Sequence, residues 1–160
     1  MSRKPALAAL TVALVVAAVF SSGMAVDAQK RDYWVGTWST ALHAPAAGPP
    51  GLTNSGFDNQ TLRQIVRTSI GGDRVRVRLS TFGAGALEIG AARIALRDAG
   101  PAILQESDRI LTFGGQNSVI IPAGATVVSD AIDLEVPPLS DLAISLFVPG
   151  QTGPATWHFT

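Results

Sequence analysis

The 160-residue chain contains no cysteine. That absence excludes a disulfide framework, thiolate metal sites and a thiol nucleophile, so the core must hold the fold without covalent help. Histidine is scarce as well. His43 and His158 are the only two, far apart and without His-x-His or His-Glu-x-x-His spacing, so no imidazole-built metal site is expected. A surplus of one charge is missing too, with 12 basic against 12 acidic residues. Such a balance gives no reason to expect nucleic acid or an anionic membrane as partner. No Gly-x-Ser-x-Gly elbow and no phosphate-binding Gly-x-x-x-x-Gly-Lys-Ser/Thr loop occurs. Gly83 and Gly85 give a Gly-x-Gly without the third glycine or a following helix. A complete active site is therefore not expected in residues 29–160, and no cofactor is implied.

What is present begins with a leader. Arg3 and Lys4 precede an apolar stretch, 6–20, interrupted only by Thr11. Ser21, Ser22 and Gly23 follow, then Ala25-Val26-Asp27-Ala28. A basic start, a short apolar run and a small-residue exit are the parts of a secretory signal peptide. Cleavage after Ala28 fits best, with Ala25 the near alternative. The run is shorter than the ~20 residues a spanning helix wants, so removal is expected rather than a stable membrane span. The absence of cysteine excludes a lipoprotein anchor. The expected destination is secreted or periplasmic. Residues 29–160 then form one domain large enough to bury a core. Two of the 12 basic and one of the 12 acidic residues fall in the leader, which leaves 10 and 11.

Beyond the leader, hydrophobic alternation and Gly/Pro punctuation dominate. Tyr33-Trp34-Val35-Gly36-Thr37-Trp38-Ser39 is aromatic and reads as a first strand. A Pro/Gly-rich surface loop is expected over 40–59. Residues 61–70 run into Gly71-Gly72-Asp73, and 74–80 alternate strictly between arginine and aliphatic residues. The pair predicts a hairpin. Further strands are expected at about 87–96, 110–113, 118–121, 126–129, 132–136, 142–148 and 155–159, with a helix over 86–97 as the local alternative. Short, regularly spaced strands predict an all-β fold, an antiparallel β-sandwich or jelly-roll-like domain.

Three groups of side chains are candidates for contact. Trp34 and Trp38 share one face of the expected strand and with Trp157 are all the tryptophans. Stacking on sugar rings is the functional reading, and packing the expected one. Arg74, Arg76 and Arg78, with Arg63 and Arg67 across the expected hairpin, read as a solvated sheet face, with a domain contact as the competitor. His158 reads as structural near the end of the last strand. His43, in the Pro/Gly-rich loop, has no partner that can be named. The chain stops at Thr160 inside what reads as a strand, which suggests a cut.

The order of segments resembles a known family. It runs through Trp34-Val35-Gly36-Thr37-Trp38, Gly56-Phe57-Asp58-Asn59-Gln60-Thr61-Leu62-Arg63-Gln64-Ile65-Val66 and Thr68-Ser69-Ile70-Gly71-Gly72. It continues through Arg74-Val75-Arg76-Val77-Arg78-Leu79-Ser80, Ile89-Gly90-Ala91-Ala92 and Ser107-Asp108. Leu111-Thr112-Phe113-Gly114-Gly115, Ile121-Pro122-Ala123-Gly124, Val128-Ser129-Asp130 and Gly153-Pro154-Ala155-Thr156-Trp157-His158 complete it. This run, covering 33–160, resembles the region ahead of the catalytic domain in secreted bacterial SGNH (GDSL-type) hydrolases.

The resemblance implies a β-sandwich placed before an α/β/α domain that hydrolyses esters. It further implies a serine in Gly-Asp-Ser, glycine and asparagine oxyanion donors, and a late Asp-x-x-His. None of these motifs occurs here. Gly72-Asp73-Arg74 has arginine where the serine is required, so no catalytic residue carries over. On this reading residues 1–28 are a signal peptide and 29–160 an accessory domain truncated before its SGNH catalytic domain. That catalytic domain would be the partner, in cis in a longer parent or in trans. A stand-alone module binding carbohydrate or protein is the alternative.

Overall fold

The computed structural model describes residues 33–41, 56–81 and 85–156. Residues Met1–Trp34 and Val35–Thr160 form separate compact units. In the first, only Tyr33 and Trp34 are described, and both are exposed. All the regular structure described lies in the second.

That structure is all-β, with one 3-10 turn at Gln105–Ser107. The strands are β1 (Gln60–Arg67), β2 (Gly72–Val75), β3 (Arg78–Ser80), β4 (Leu87–Ile89), β5 (Ala91–Leu96), β6 (Arg109–Leu111), β7 (Val119–Ile121), β8 (Thr126–Val128), β9 (Ile132–Val136) and β10 (Asp141–Val148). Every pairing is antiparallel. One four-stranded sheet has the order β1-β10-β5-β6, and β2–β9, β3–β8 and β4–β7 are two-stranded ladders. The arrangement is that of a β-sandwich. The sheet offers Val66, Ala92, Ile94, Leu111, Leu142, Ile144, Leu146 and Val148 to the core. Val77, Ile89, Phe113, Ile121, Leu134 and Val136 meet them from the ladders and loops.

Side-chain parity explains the two faces. Leu62, Leu146, Ala92 and Leu111 form one row across the sheet, and Val66, Leu142 and Leu96 another. The strand β10 reads Asp-Leu-Ala-Ile-Ser-Leu-Phe-Val, mostly apolar, because it is central, with β1 on one side and β5 on the other. Each fully buried Ile or Leu stabilises the fold by about 1.5–3 kcal/mol of transfer free energy.

The expected hairpin of 61–70 with 74–80 does not form. The first strand, β1, pairs with β10, while β2 pairs with β9. Gly71 therefore lies in a crossing between sheets, and Gly72 and Asp73 open β2. The side chain and N–H of Thr68 hold this connector against the one between β9 and β10. Thr68 N donates to Ser140 O (2.8 Å), Thr68 Oγ1 donates to the same oxygen (3.0 Å), and Ser140 N donates to Thr68 Oγ1 (3.2 Å). Gly71 then lies so close to Val136 O and Pro138 N that a Cβ would collide with both.

Two expected long strands are each divided. The 74–80 run keeps its alternation, with Val75, Val77 and Leu79 inward, but breaks into β2 and β3. At the break Val77 N donates to Ser129 Oγ and Ser129 N to Val77 O, both at 2.9 Å. The 87–96 run is strand rather than helix and is interrupted at Gly90. There Gly90 N donates to Phe147 O (2.9 Å), and a Cβ would stand 2.9 Å from the Phe147 ring. The interruption carries the chain from the β4–β7 ladder into the four-stranded sheet.

Residues 33–41 form no regular strand. The Thr37 hydroxyl takes up backbone groups that a ladder would otherwise use, since it donates to Ile70 O (2.7 Å) and accepts from Ile70 N (3.0 Å). The loop expected over 40–59 lies largely outside the described residues, and so does most of the strand expected at 155–159. Its first two residues, Ala155 and Thr156, carry no strand.

Candidate functional site

Arg74, Arg76 and Arg78 alternate with the core residues of β2 and β3 and are exposed. Arg74 faces Asp133 across the ladder, with Nε 3.4 Å from Oδ1. Arg76 lies close enough to Asp130 to favour its charged form. Arg78 stands opposite Val128. The strip is thus interleaved with carboxylates from β9 and its approach. Arg63 and Arg67 are not part of it, because β1 lies in the other sheet.

There they join two arginines that the sequence reading did not single out. On the outer face of the four-stranded sheet, Arg63, Ser145 and Arg93 form one row and Arg67, Asp141 and Arg97 another. Arg67 Nη1 lies 3.2 Å from Asp141 Oδ1, and Arg97 Nη1 lies 2.9 Å from Oδ2 of the same carboxylate. Arg93 grips Asp108 bidentately, with Nη2 to Oδ2 at 2.7 Å and Nε to Oδ1 at 3.0 Å. The Asp108 hydrogen bond is the main cause that raises the Arg93 pKa above its ordinary value. Arg63 donates to Ser145 Oγ (2.9 Å) and Pro101 O (2.6 Å), and Arg97 donates to Gly100 O (2.7 Å). These guanidiniums tie the β5–β6 connection to the sheet. Their geometry accounts for a structural role without a ligand.

The hydroxyls nearest the core are also engaged. Ser107 Oγ donates to Leu104 O and accepts from Leu96 N, and Ser129 Oγ donates to Asp130 O. Among the described residues no buried side-chain nitrogen or oxygen lacks a hydrogen-bond partner. No group of three or more His, Cys, Asp and Glu among them is placed to hold a metal ion. His43, His158 and Trp157 lie outside the described residues. Trp38 keeps 45% of its surface exposed and Trp34 41%, so packing takes only part of either ring.

Asp130 is held below the ordinary carboxylate range. Gly115 N–H is the chief cause, at 2.7 Å, followed by the Thr112 hydroxyl at 2.7 Å. Gly114 N–H (3.0 Å) and the charge of Arg76 act in the same direction, and desolvation opposes them. Gly114 and Gly115 both have positive φ, and the carboxylate fixes the turn they make between Phe113 and Gln116. Because the folded pKa is depressed, this stabilisation is present above the unfolded value of about 3.9 and is lost as pH falls through the folded one. Wild-type protein is thus expected to lose urea resistance on acidification from about pH 5 to pH 3 more steeply than Asp130→Asn. Parallel curves for the two proteins would remove Asp130 as the cause.

Compared with known proteins, the chain matches no family model, and no curated protein matches it.

Proposed function

We propose that this chain is the exported N-terminal accessory β-domain of an SGNH-type ester hydrolase, and that it does not itself catalyse. The observation that carries the reading is the ordered run of segments from Trp34 to His158, with every catalytic motif of that family missing. The antiparallel sandwich supports it, as the architecture such a region calls for. So does the engagement of Ser107, Ser129 and Ser145 in structural hydrogen bonds. In this role the domain supplies a rigid body beside a catalytic domain whose serine, oxyanion donors and Asp–His pair lie on other residues.

The purified chain is expected to give no turnover of short-chain nitrophenyl esters above the buffer rate. Mixing it with, or joining it to, a Gly-Asp-Ser-bearing domain encoded beside it should change that domain's stability or activity. Turnover by the chain alone that is lost in a single serine-to-alanine variant would overturn the non-catalytic reading. A neighbouring coding sequence with no Gly-Asp-Ser stretch in any frame would overturn the family reading.

A further inference from the structure

One end of the sandwich differs from the rest of its surface. The β1–β2 connector (68–71), the β9–β10 connector (137–140) and the 35–39 segment meet there. Thr68–Ser140 hydrogen bonds join the first two, and Ser69 N donates to Thr37 O (3.1 Å) to join the third. These segments read Thr-Ser-Ile-Gly, Pro-Pro-Leu-Ser and Val-Gly-Thr-Trp-Ser, with no charged residue. Of the charges that flank the connectors, Arg67 and Asp141 are paired with each other, and Asp73 and Glu135 are exposed at the ends of β2 and β9 beside the tip. The tip nonetheless presents Val35 (63% exposed), Trp38, Ile70 (53%) and Leu139 (62%) to solvent.

Elsewhere on the sheets, exposed aliphatic side chains sit against charge. Ile110 faces Arg93 across its ladder, Ile120 faces Glu88, Val128 faces Arg78, and Ile65 lies between Arg63 and Arg67 on β1. Single apolar residues dispersed in this way are ordinary surface. Four together on an uncharged, hydrogen-bonded tip are not. Leu139 adds a second anomaly, since its φ of 59° is a left-handed conformation that favours glycine or asparagine. Neither burial nor backbone preference accounts for a leucine at this position.

We propose that this tip is a lipid-contacting surface, with Val35, Trp38, Ile70 and Leu139 entering the interfacial zone of an uncharged lipid layer. Area and charge select this occupant. The four side chains expose together on the order of 400 Å². A stable contact with a second copy or another protein needs about 800 Å² from each partner. A lipid surface has no such threshold, because a few apolar side chains suffice for reversible insertion. The hydroxyls of Thr37, Ser69 and Ser140 beside them suit the polar side of the interface, and tryptophan favours that boundary. With no charge in its own segments and the acids Asp73 and Glu135 beside them, the tip is matched to a zwitterionic surface rather than an anionic one.

The test is flotation of the exported chain with neutral phosphatidylcholine vesicles, read with no ester present. Wild-type chain should float, and the Ile70→Asn/Leu139→Asn double variant should float at least about fivefold less. Asparagine suits the left-handed backbone at 139, so folding is retained there. Ile120→Asn, which removes an equally exposed aliphatic group elsewhere, should float like wild type. Salt at about 0.5 M should not release the protein. The leader, cleaved or not, is common to all variants, so the difference between them reads the tip. Absence of wild-type flotation, equal flotation of the double variant, or release by salt would overturn the proposal. So would a tip-dependent dimer or protein complex without vesicle binding. Because no catalytic domain or turnover enters the measurement, its outcome is independent of the proposed esterase connection.

Discussion

Ile94→Ala is expected to lower the free energy of unfolding by about 3–4 kcal/mol, read as a shift of the urea midpoint with an unchanged slope. Ile94 is fully buried and sits in β5, between Ile144 of β10 and Arg109 of β6 in register. Truncation removes three carbons from the middle of a sheet clamped on both sides. The neighbouring strands cannot close over the gap without breaking register, so a cavity cost adds to the lost transfer free energy. A domain without disulfides has only its core to draw on, and typical stabilities are about 5–15 kcal/mol. The variant should therefore melt well below the wild type. Ile94→Val, which removes one carbon, should cost about 0.5–1.5 kcal/mol. A loss below about 1.5 kcal/mol for the alanine variant would mean that the sheet relaxes into the space.

Gly71→Ala is the second large effect. The reason is not φ, which is ordinary there, but the backbone packed against it. A Cβ would collide with Val136 O and Pro138 N, and neither atom belongs to a side chain that could rotate away. The connector would have to move as a unit, straining the Thr68–Ser140 bonds that tie it down. A cost of about 2–3 kcal/mol is expected, at the upper end for overpacking. The adjacent Gly72→Ala is the internal control. The nearest atom to its Cβ would be Arg74 O at 3.9 Å, so a change within about 0.5 kcal/mol is expected. Equal effects at the two positions would show that loss of glycine flexibility, rather than the close approach, is what matters.

The all-β class was legible because turns and alternation are local properties. Gly114-Gly115, Pro122-Ala123-Gly124 and Pro137-Pro138 each punctuate strands where they stand. Alternation also assigned the faces of 74–80 correctly, with aliphatics in and arginines out. Pairing partners were not legible in this way. Gly71-Gly72-Asp73 states that the chain turns, but says nothing about whether it returns to its neighbour or crosses to the opposite sheet. Val136 and Pro138 decide that, some 65 residues on. The aromatic 33–39 segment carries strand propensity, yet Thr37 engages the 69–70 backbone instead. Arg93 and Arg97 lie in Ala91-Ala92-Arg93-Ile94-Ala95-Leu96-Arg97, at the end of the strand expected over 87–96. As strand, its parity would have put both arginines opposite the core. Their acidic partners, Asp108 and Asp141, lie in other elements and leave no mark in that stretch. The apolar tip was invisible for the same reason, being assembled from three segments that look like ordinary turns.

The pairing of β1 with β10 bears on how such a chain comes to be folded at all. The strand β10 is the only link between β1 and β5, and it is the last strand described. A growing chain that has exposed residues 60–111 can pair β5 with β6, but β1 has no edge to join until β10 has emerged. Long-range closure of this kind is slow relative to local hairpin formation. Synthesis interrupted before β10 would leave β1 with a free backbone edge on both sides, a form that invites pairing with other chains.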